Sequence, residues 1–219
     1  MPDLPIPRIV PLGDSALLVR FSDRIGDEAT SAVVAFARTA EDARLPGVTE
    51  IVPNLVSVLL LYDPTRITFT GLSAELRLAI SRRRDDAGET RSYSIAIRFG
   101  GADGPDLDAV AEALGMDSHT FIARHNGAPL RILATGFAPG FVYCGLHAED
   151  MRLPRRNAVR DRVPPGSVLF AAGQTAITST PIPTGWHVIG RTDFSNFDPA
   201  GTPPTLLRAG DSVIFEAMA

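Results

Sequence analysis

The chain contains no lysine, so all 21 of its basic residues are arginines. A chain without lysine cannot form a Schiff base through its own side chains or use lysine as a general base. It also cannot supply the phosphate-binding lysine of a P-loop. An anionic ligand must therefore be bound by arginine, by backbone N–H groups or by a partner chain.

Cysteine and long hydrophobic runs are also scarce. One cysteine, Cys144, excludes an internal disulfide framework and a cysteine-rich zinc site. No stretch approaches the roughly 20 apolar residues of a transmembrane helix, and the first residues lack the basic start and apolar core of a signal peptide. These absences predict a cytoplasmic protein that does not act at a membrane. The net charge of −4 argues against nucleic acid as the main partner.

Hydrophobic patterning in the first third of the chain predicts a small α+β unit. Strands are predicted at residues 15–21, 48–52 and 55–62, and helices at 27–45 and 72–80. This order of elements suits an antiparallel sheet with its helices on one side. The segment that follows, residues 81–91, is highly charged and is interpreted as a linker or as an exposed helix end with a turn.

The rest of the chain shows a different pattern. A strand at residues 93–99 and helices at 105–114 and 118–125 are followed by predicted strands at 130–135, 167–172, 186–191 and 212–216. The second helix is expected to begin from an Asp117 or Ser118 cap. Many short strands between glycine and proline turns predict a barrel or a compact sandwich. The predicted domains are residues 1–84, α+β, and residues 85–219, mostly β.

Two loops are candidates for a binding site. Residues 134–146, ATGFAPGFVYCGL, concentrate glycine, proline and aromatic residues, which can line a ligand pocket or simply form a tight turn over a core. Residues 151–162 contain five arginines and are followed by Pro164 and Pro165. This cluster is either a solvated loop or a site for an anion or an acidic partner.

The chemistry-bearing residues form no standard motif. Cys144, with His125 or His187 as its base, is a possible nucleophile, but a lone cysteine is more often a small apolar filler. The four histidines lack the spacing of a metal-binding motif, so no metal site is predicted.

A series of short segments spans nearly the whole chain. They include PLGDSALLVRF (11–21), LPGVTEIVP (45–53), FGGADGPDLDAVA (99–111), GFAPGFVYCG (136–145), RVPPGSV (162–168), GWHVIGRT (185–192) and RAGDSVIF (208–215). In number, order and spacing they resemble the family of 5-oxoprolinase B subunits (PxpB), also described as kinase-A-inhibitor-like proteins (KipI) and allophanate hydrolase subunit 1 domains. The chain departs from the family pattern at several glycines, among them the first of a pair, here Ala172-Gly173.

The resemblance implies an N-terminal ferredoxin-like domain and a C-terminal cyclophilin-like β-barrel domain. It also implies a second cyclophilin-like subunit (PxpC- or KipA-like) and a third, PxpA-like protein. Together these convert 5-oxoproline to glutamate at the expense of ATP. ATP and Mg²⁺ are accordingly expected at the level of the complex, no cofactor is expected to be bound covalently, and the chain alone is expected to be inactive.

The activity that this resemblance implies suggests roles for particular residues. Expected catalytic residues are His125, for acid–base or ligand-orienting work, and Arg156 and Arg191, beside a phosphoryl group. Expected substrate-binding residues are Gly140, Phe141, Arg155, Gln174, Thr175 and Trp186. Two other functions stay open: a regulatory module that inhibits a sensor histidine kinase, and a carboxyltransferase-type subunit acting on a urea- or allophanate-like substrate.

Overall fold

The computed structural model describes residues 6–81 and 90–218. The chain divides into two compact units, Met1–Thr90 and Arg91–Ala219. The boundary predicted after residue 84 lies outside the described residues. Among the helices of the described ranges, none has the length and apolar character needed to cross a bilayer.

The first unit is a four-stranded antiparallel sheet with two helices. Its elements are β1 (Arg8–Pro11), β2 (Ala16–Arg20), α1 (Asp27–Ala43), β3 (Val48–Asn54), β4 (Ser57–Tyr62) and α2 (Phe69–Ser81). The strands lie in the order β1-β2-β4-β3. The five predicted elements of this unit are confirmed. Strand β1 escapes prediction because it has four residues, all at least partly exposed, and therefore little hydrophobic pattern.

The core of the first unit lies between the sheet and its helices. Along β4 the residues Val58, Leu60 and Tyr62 are buried, and they alternate with less buried neighbours. Helix α1 packs Phe36 into the same cluster, with its ring centroid 5.4 Å from that of Phe21. Helix α2 adds Leu72 and Leu76.

The second unit is built around a closed barrel. Its elements are β5 (Ser92–Phe99), α3 (Leu107–Ala113), α4 (Ser118–His125), β6 (Leu130–Thr135), β7 (Val142–Gly145), β8 (Arg160–Val163), β9 (Ser167–Ala171), β10 (Gln174–Ile177), β11 (Ile182–Thr184), β12 (His187–Arg191) and β13 (Ser212–Ala217). Seven strands close in the order β10-β7-β6-β13-β5-β12-β9, while β8 and β11 pair separately. Of the two predicted architectures, barrel and sandwich, the structure has the barrel.

Alternation along β9 and β10 gives the barrel wall two buried faces. Phe170 and Ile177 point into the barrel core, which Phe121 of α4 closes. Leu169 and Ala176 belong to a second apolar cluster on the outer face, which also includes residues of β8 and β11. Since every residue of β9 and β10 is buried, these strands show no polar–apolar alternation.

Helix α4 begins as predicted at its Asp117 cap. The Asp117 carboxylate accepts a hydrogen bond of 2.7 Å from the backbone N–H of Thr120. This fixes the start of a helix whose last residue, His125, enters the barrel interior.

Candidate functional site

Three side chains form a polar cluster inside the barrel. Nε2 of His125 and Nε2 of His147 each lie 2.8 Å from Oγ1 of Thr175 on β10. His125 is 1% exposed, His147 is 8% exposed and Thr175 is fully buried. We call these three residues the histidine–threonine cluster. Aromatic rings pack around it, with Phe215 at 5.3 Å and Phe170 at 6.2 Å from the His125 ring centroid.

The hydrogen bonds of this cluster have a direction. Nδ1 of His125 lies 2.7 Å from the Asn126 side-chain oxygen, an acceptor, so Nδ1 carries the hydrogen and Nε2 accepts. The Thr175 hydroxyl therefore donates to His125 and must accept from His147. The hydrogen bonds thus run in one direction: His147 donates to Thr175, Thr175 donates to His125, and His125 donates to Asn126.

Both imidazoles are neutral at physiological pH. Burial lowers the pKa of His125 to about 4, against the opposing effect of its hydrogen bond to Asn126, which raises the pKa. Burial, and to a lesser extent the neighbouring His125, lowers the pKa of His147 to about 3. Protonation of either ring would place a charge in an apolar interior.

Aromatic side chains run along the outer face of the barrel, on the opposite side of the wall. Phe137 contacts Phe141 at a centroid distance of 5.5 Å, Phe141 contacts Tyr143 at 4.8 Å, and Tyr143 contacts Trp186 at 5.9 Å. The guanidinium carbon of Arg155 lies 5.7 Å from the centroid of the Trp186 ring. We call the four rings with Arg155 the aromatic row.

Gln174 belongs to this outer face and not to the barrel interior. It precedes Thr175 on β10, and successive side chains of a strand point to opposite faces. A Cβ built on Gly145, its partner on β7, would lie 3.4 Å from Cγ of Gln174. Gln174 and Thr175, predicted as a pair of ligand contacts, are therefore separated by the barrel wall.

The loop before β7 is held rigidly against a neighbouring loop. Asn196 is fully buried, donates to the Gly140 carbonyl at 3.3 Å and accepts from the backbone N–H groups of Leu206 and Leu207. Gly140 has a φ of 71° and packs too closely on Phe197 for a side chain. Phe137 is 72% exposed and has a φ of 75°, a strained value of the kind found at ligand sites.

A carboxylate anchors the arginine-rich loop. Nη1 of Arg156 lies 2.9 Å from both oxygens of Asp106, which also accepts from Arg160 and from the backbone N–H of Val188. Burial opposes ionisation of Asp106, but the Val188 N–H and the two guanidinium groups outweigh it and hold the pKa below its usual range. Arg156 is thus engaged in a partly buried ion pair.

Two concave regions lie beside this loop. One is a groove of about 320 Å³ lined by α3 residues and by Pro154, Arg155, Arg156 and His187. The other is a cavity of about 150 Å³ lined by Arg160, Arg162 and Arg191. The described residues contain no group of three or more histidine, cysteine or acidic side chains able to hold a metal ion.

A known protein family matches most of the length of the chain. The family model described as carboxyltransferase domain, subdomain C and D, matches residues 7–207. The chain belongs to this family. It is 33% identical to the 5-oxoprolinase B subunit of Bacillus subtilis strain 168, over 95% of this chain and 91% of that protein. It is 37% identical to the 5-oxoprolinase B subunit of Escherichia coli O157:H7, over 78% of each chain.

A solved structure supports the same family membership. The crystal structure of TTHA0988 superposes with a TM-score of 0.82 at 32% identity, over 93% of this chain. This chain spans 40% of the length of that longer one. The resemblance of the sequence motifs to the 5-oxoprolinase B-subunit family is confirmed.

The predicted site residues of this family member lie in four places. His125 and Thr175 meet inside the barrel. The aromatic face carries Gly140, Phe141, Arg155, Gln174 and Trp186. Arg156 lies in the ion pair with Asp106, and Arg191 lines the smaller cavity. Their assignment to substrate or catalysis stays a prediction.

Sequence reasoning missed three residues that organise these places. His147 follows β7 without any spacing that links it to His125, and Asp106 is 50 residues from Arg156 in sequence. Asn196 lies in a loop with no pattern of its own. Cys144 lies in the barrel core, where burial raises the pKa of its thiol. His187, which the sequence offers as a possible base for this thiol, instead donates a hydrogen bond to the Pro154 carbonyl.

Proposed function

We propose that the chain is the B subunit of a cytoplasmic, ATP-dependent 5-oxoprolinase, and that its aromatic row contributes part of the 5-oxoproline site. Relatives that match most of its length are named as the B subunit of 5-oxoprolinase. The observation that carries the proposal at the level of the site is the guanidinium of Arg155 held over Trp186 on the outer face of the barrel.

The chemistry of 5-oxoproline matches these side chains. The substrate is a flat five-membered lactam with a carboxylate, so one part of it is suited to an aromatic face and another to a guanidinium. Arg155 forms no ion pair among the described residues, so its charge is free for a carboxylate. The Gln174 amide can both donate to the lactam carbonyl and accept from the lactam N–H.

We assign a positioning role to the histidine–threonine cluster. His125 lies inside the barrel, on the opposite side of the wall from the aromatic row, so it cannot contact a ligand there. It holds Thr175, and Thr175 is adjacent to Gln174 on the same strand. Fixing one side of β10 from inside the barrel limits the movement of the side chains on its other side.

The described residues fit a phosphoryl group better than a whole Mg²⁺–nucleotide site. Arginines border both concave regions, but no cluster of three metal-ligating side chains occurs in the described ranges. Bound ATP would supply the phosphoryl group that activates the lactam oxygen. Mg²⁺ would then be held by the nucleotide and by a partner subunit, and this chain would contribute guanidinium groups.

The two units are best interpreted as a ferredoxin-like and a cyclophilin-like domain. In the first unit, β2, α1, β3, β4 and α2 follow one another as in a split β-α-β arrangement, and β4 lies between β2 and β3. Strand β1 occupies the remaining edge beside β2. The closed barrel of the second unit supports the cyclophilin-like assignment and, with it, a partner subunit of the same kind.

The proposal is tested by purifying the chain together with its partner subunits and measuring ATP hydrolysis and glutamate formation. We expect 5-oxoproline to stimulate ATP hydrolysis by the complex and not by this chain alone. An Arg155→Gln variant should lose the stimulation while the complex still assembles. A stable complex with all subunits present and no response to 5-oxoproline would refute the activity.

A regulatory binding module is the second candidate, and the exposure of Phe137 favours it. A large aromatic side chain that is 72% exposed at the end of the aromatic row can dock on another protein. Saturable binding of a sensor histidine kinase, abolished by Phe137→Ala and unaffected by 5-oxoproline, would support this alternative.

Carboxyl transfer is the third candidate, and the name of the family model is in keeping with it. The chain has no lysine to carry biotin, so a biotin-bearing partner would be required. Activity of the purified complex without biotin, and its insensitivity to avidin, would exclude this function.

A further inference from the structure

The smaller cavity of the second unit has an unusual distribution of charge. Its volume is about 150 Å³, and its polar lining comes from Asp103, Arg160, Arg162, Ser167 and Arg191. Strand β8 supplies Arg160 and Arg162, and strand β12 supplies Arg191. No residue of the aromatic row lines it.

Two of the three arginines lack a paired carboxylate. Arg160 pairs with Asp106, and Asp103 is held by Nε of Arg98 at 3.1 Å. The side chains of Arg162 and Arg191 have no hydrogen-bond or salt-bridge partner among the described residues.

The carboxylate of Asp193 interacts electrostatically with Arg191, but it is already hydrogen-bonded to Arg98. Arg191 helps to lower the pKa of Asp193, so the two charges lie close enough to interact. Both oxygens of Asp193, however, accept from Arg98, at 2.7 and 2.9 Å. Two guanidinium groups therefore face one small space with no carboxylate bound to either.

Arg160, the third arginine of the lining, contains a buried and unpaired donor. Nε of Arg160 is buried and has no hydrogen-bond partner among the described residues. The other end of the same guanidinium is held by Asp106, so Nε is fixed in orientation. Buried donors are almost always paired in native proteins, so this Nε is an exception, and because it has no accessible surface a ligand in the cavity would be bound by Arg162 and Arg191.

The backbone around the cavity is closely packed. A Cβ built on Gly166 would lie 2.2 Å from the Thr192 carbonyl oxygen and 3.7 Å from Cγ of Arg191. A Cβ on Gly104 would lie 2.1 Å from the Ile189 carbonyl oxygen. Both glycines allow turns to pack directly on β12, so the backbone that carries Arg191 is held from two sides.

We propose that this cavity binds a phosphoryl group. Two unpaired guanidinium charges match a dianion, and guanidinium groups bind phosphoryl oxygens through paired N–H donors. The volume of about 150 Å³ is sufficient for a tetrahedral oxyanion. The site contains neither the aromatic row nor Arg156, although Arg160 of its lining shares the Asp106 carboxylate with Arg156.

The source of the phosphoryl group is nucleotide, phosphorylated substrate or free phosphate. Only this part of the inference rests on the proposed function, because an ATP-dependent 5-oxoprolinase reaction would use ATP, pass through a phosphorylated substrate and release phosphate. Binding of inorganic phosphate to the full chain depends on the cavity alone. The two can therefore be tested separately.

The experiment is a calorimetric titration of the full chain with inorganic phosphate. We expect saturable binding that Arg162→Gln and Arg191→Gln each weaken at least tenfold. The matched control is Arg208→Gln, which removes one exposed positive charge from the same unit outside the cavity and should leave the affinity unchanged. Urea unfolding midpoints close to that of the parent chain show that the variants are folded.

The outcomes separate the site from the activity. An equal loss of affinity in all three variants, or no phosphate binding by the parent chain, would overturn the site even if the complex hydrolyses 5-oxoproline. Cavity-dependent binding in a complex without 5-oxoproline-stimulated ATP hydrolysis would keep the site and refute the activity. In the complex, displacement of phosphate by ATP would identify the nucleotide as the source. Phosphate retained beside bound ATP would identify phosphorylated substrate or free phosphate.

Discussion

His125 and His147 share one hydroxyl group, since Nε2 of each ring lies 2.8 Å from Oγ1 of Thr175. The ring centroids are 4.9 Å apart. Because a hydroxyl has a single hydrogen, it can donate to only one of two imidazoles and must accept from the other. The two rings are therefore fixed in different tautomers, and the state of each depends on Thr175.

Replacing Thr175 by valine should destabilise the second unit. Valine keeps the shape of threonine but leaves two buried imidazole nitrogens without partners, which costs roughly 1–3 kcal/mol for each unsatisfied group. Urea unfolding should show the loss, and Thr175→Ser, which keeps the hydroxyl, should recover most of it. If Thr175→Val and Thr175→Ser were equally stable, the hydrogen bonds would contribute nothing.

The stability of the chain should depend on pH through the same histidines. Their folded-state pKa values, about 4 and about 3, lie below the unfolded value, so the unfolded state binds more protons in between. The contribution of these two histidines to the free energy of unfolding should be fully present above about pH 7, and it should be lost as the pH falls from 6.5 towards 4. Between pH 7 and pH 5 we expect a loss of roughly 2 kcal/mol per histidine.

The control for this pH dependence is His119→Gln, which removes an exposed histidine from α4 and keeps both buried imidazoles. A His125→Asn, His147→Asn double variant should be less stable at pH 7 but should have a flatter profile. A slope identical in the parent and the double variant would show that the pH dependence arises elsewhere.

Arg155 should matter through its geometry as well as its charge. Arg155→Lys keeps a positive charge but loses the planar group that stacks on Trp186 and pairs with both oxygens of a carboxylate. In the assembled complex we expect the KM for 5-oxoproline to rise about tenfold, with a larger rise for Arg155→Gln. Arg152→Gln is the control, because it removes a charge of the same loop that pairs with Glu149 at 3.8 Å. Unchanged kinetics in Arg155→Gln would remove this residue from the substrate site.

Elements with local patterns can be predicted from the sequence, whereas those that depend on distant contacts cannot. Helices α1 and α4 are predicted correctly because their apolar spacing and, in α4, the Asp117 cap are local. Strand β10 escapes prediction because it has only four residues, and two of them, Gln174 and Thr175, are polar. The separation of Gln174 from Thr175 requires that strand assignment. The pairs His125–His147 and Asp106–Arg156 require the closed barrel, which brings distant segments together.

Gly140 should tolerate no side chain. Its φ of 71° disfavours other residues, and a built Cβ would lie 2.6 Å from Cβ of Phe197 and 2.7 Å from Cβ of Ser179. Gly101→Ala provides the control, because its φ of 54° carries a similar strain but no atom lies within 4 Å of the added carbon. We expect Gly101→Ala to cost about 1 kcal/mol and Gly140→Ala to cost more by roughly 1–3 kcal/mol. Equal losses in thermal unfolding would mean that the loop can move away from Phe197.

Asp106 and Arg156 provide the last test, because a catalytic and a structural role for Arg156 predict different behaviour. The Arg156 and Asp106 side chains are 25% and 14% exposed, so removing either partner leaves a charge that is only partly solvated. Since solvent screens part of that charge, we expect Asp106→Asn to cost roughly 1–3 kcal/mol. A double-mutant cycle with Arg156→Met should show coupling of about 1 kcal/mol or more.

If Arg156 acts only by anchoring the loop, then Arg156→Met should reduce activity of the complex in proportion to the loss of folded protein. If it contacts the phosphoryl group, activity should be abolished in protein that remains folded and assembled. Full activity in folded Arg156→Met would exclude the catalytic role.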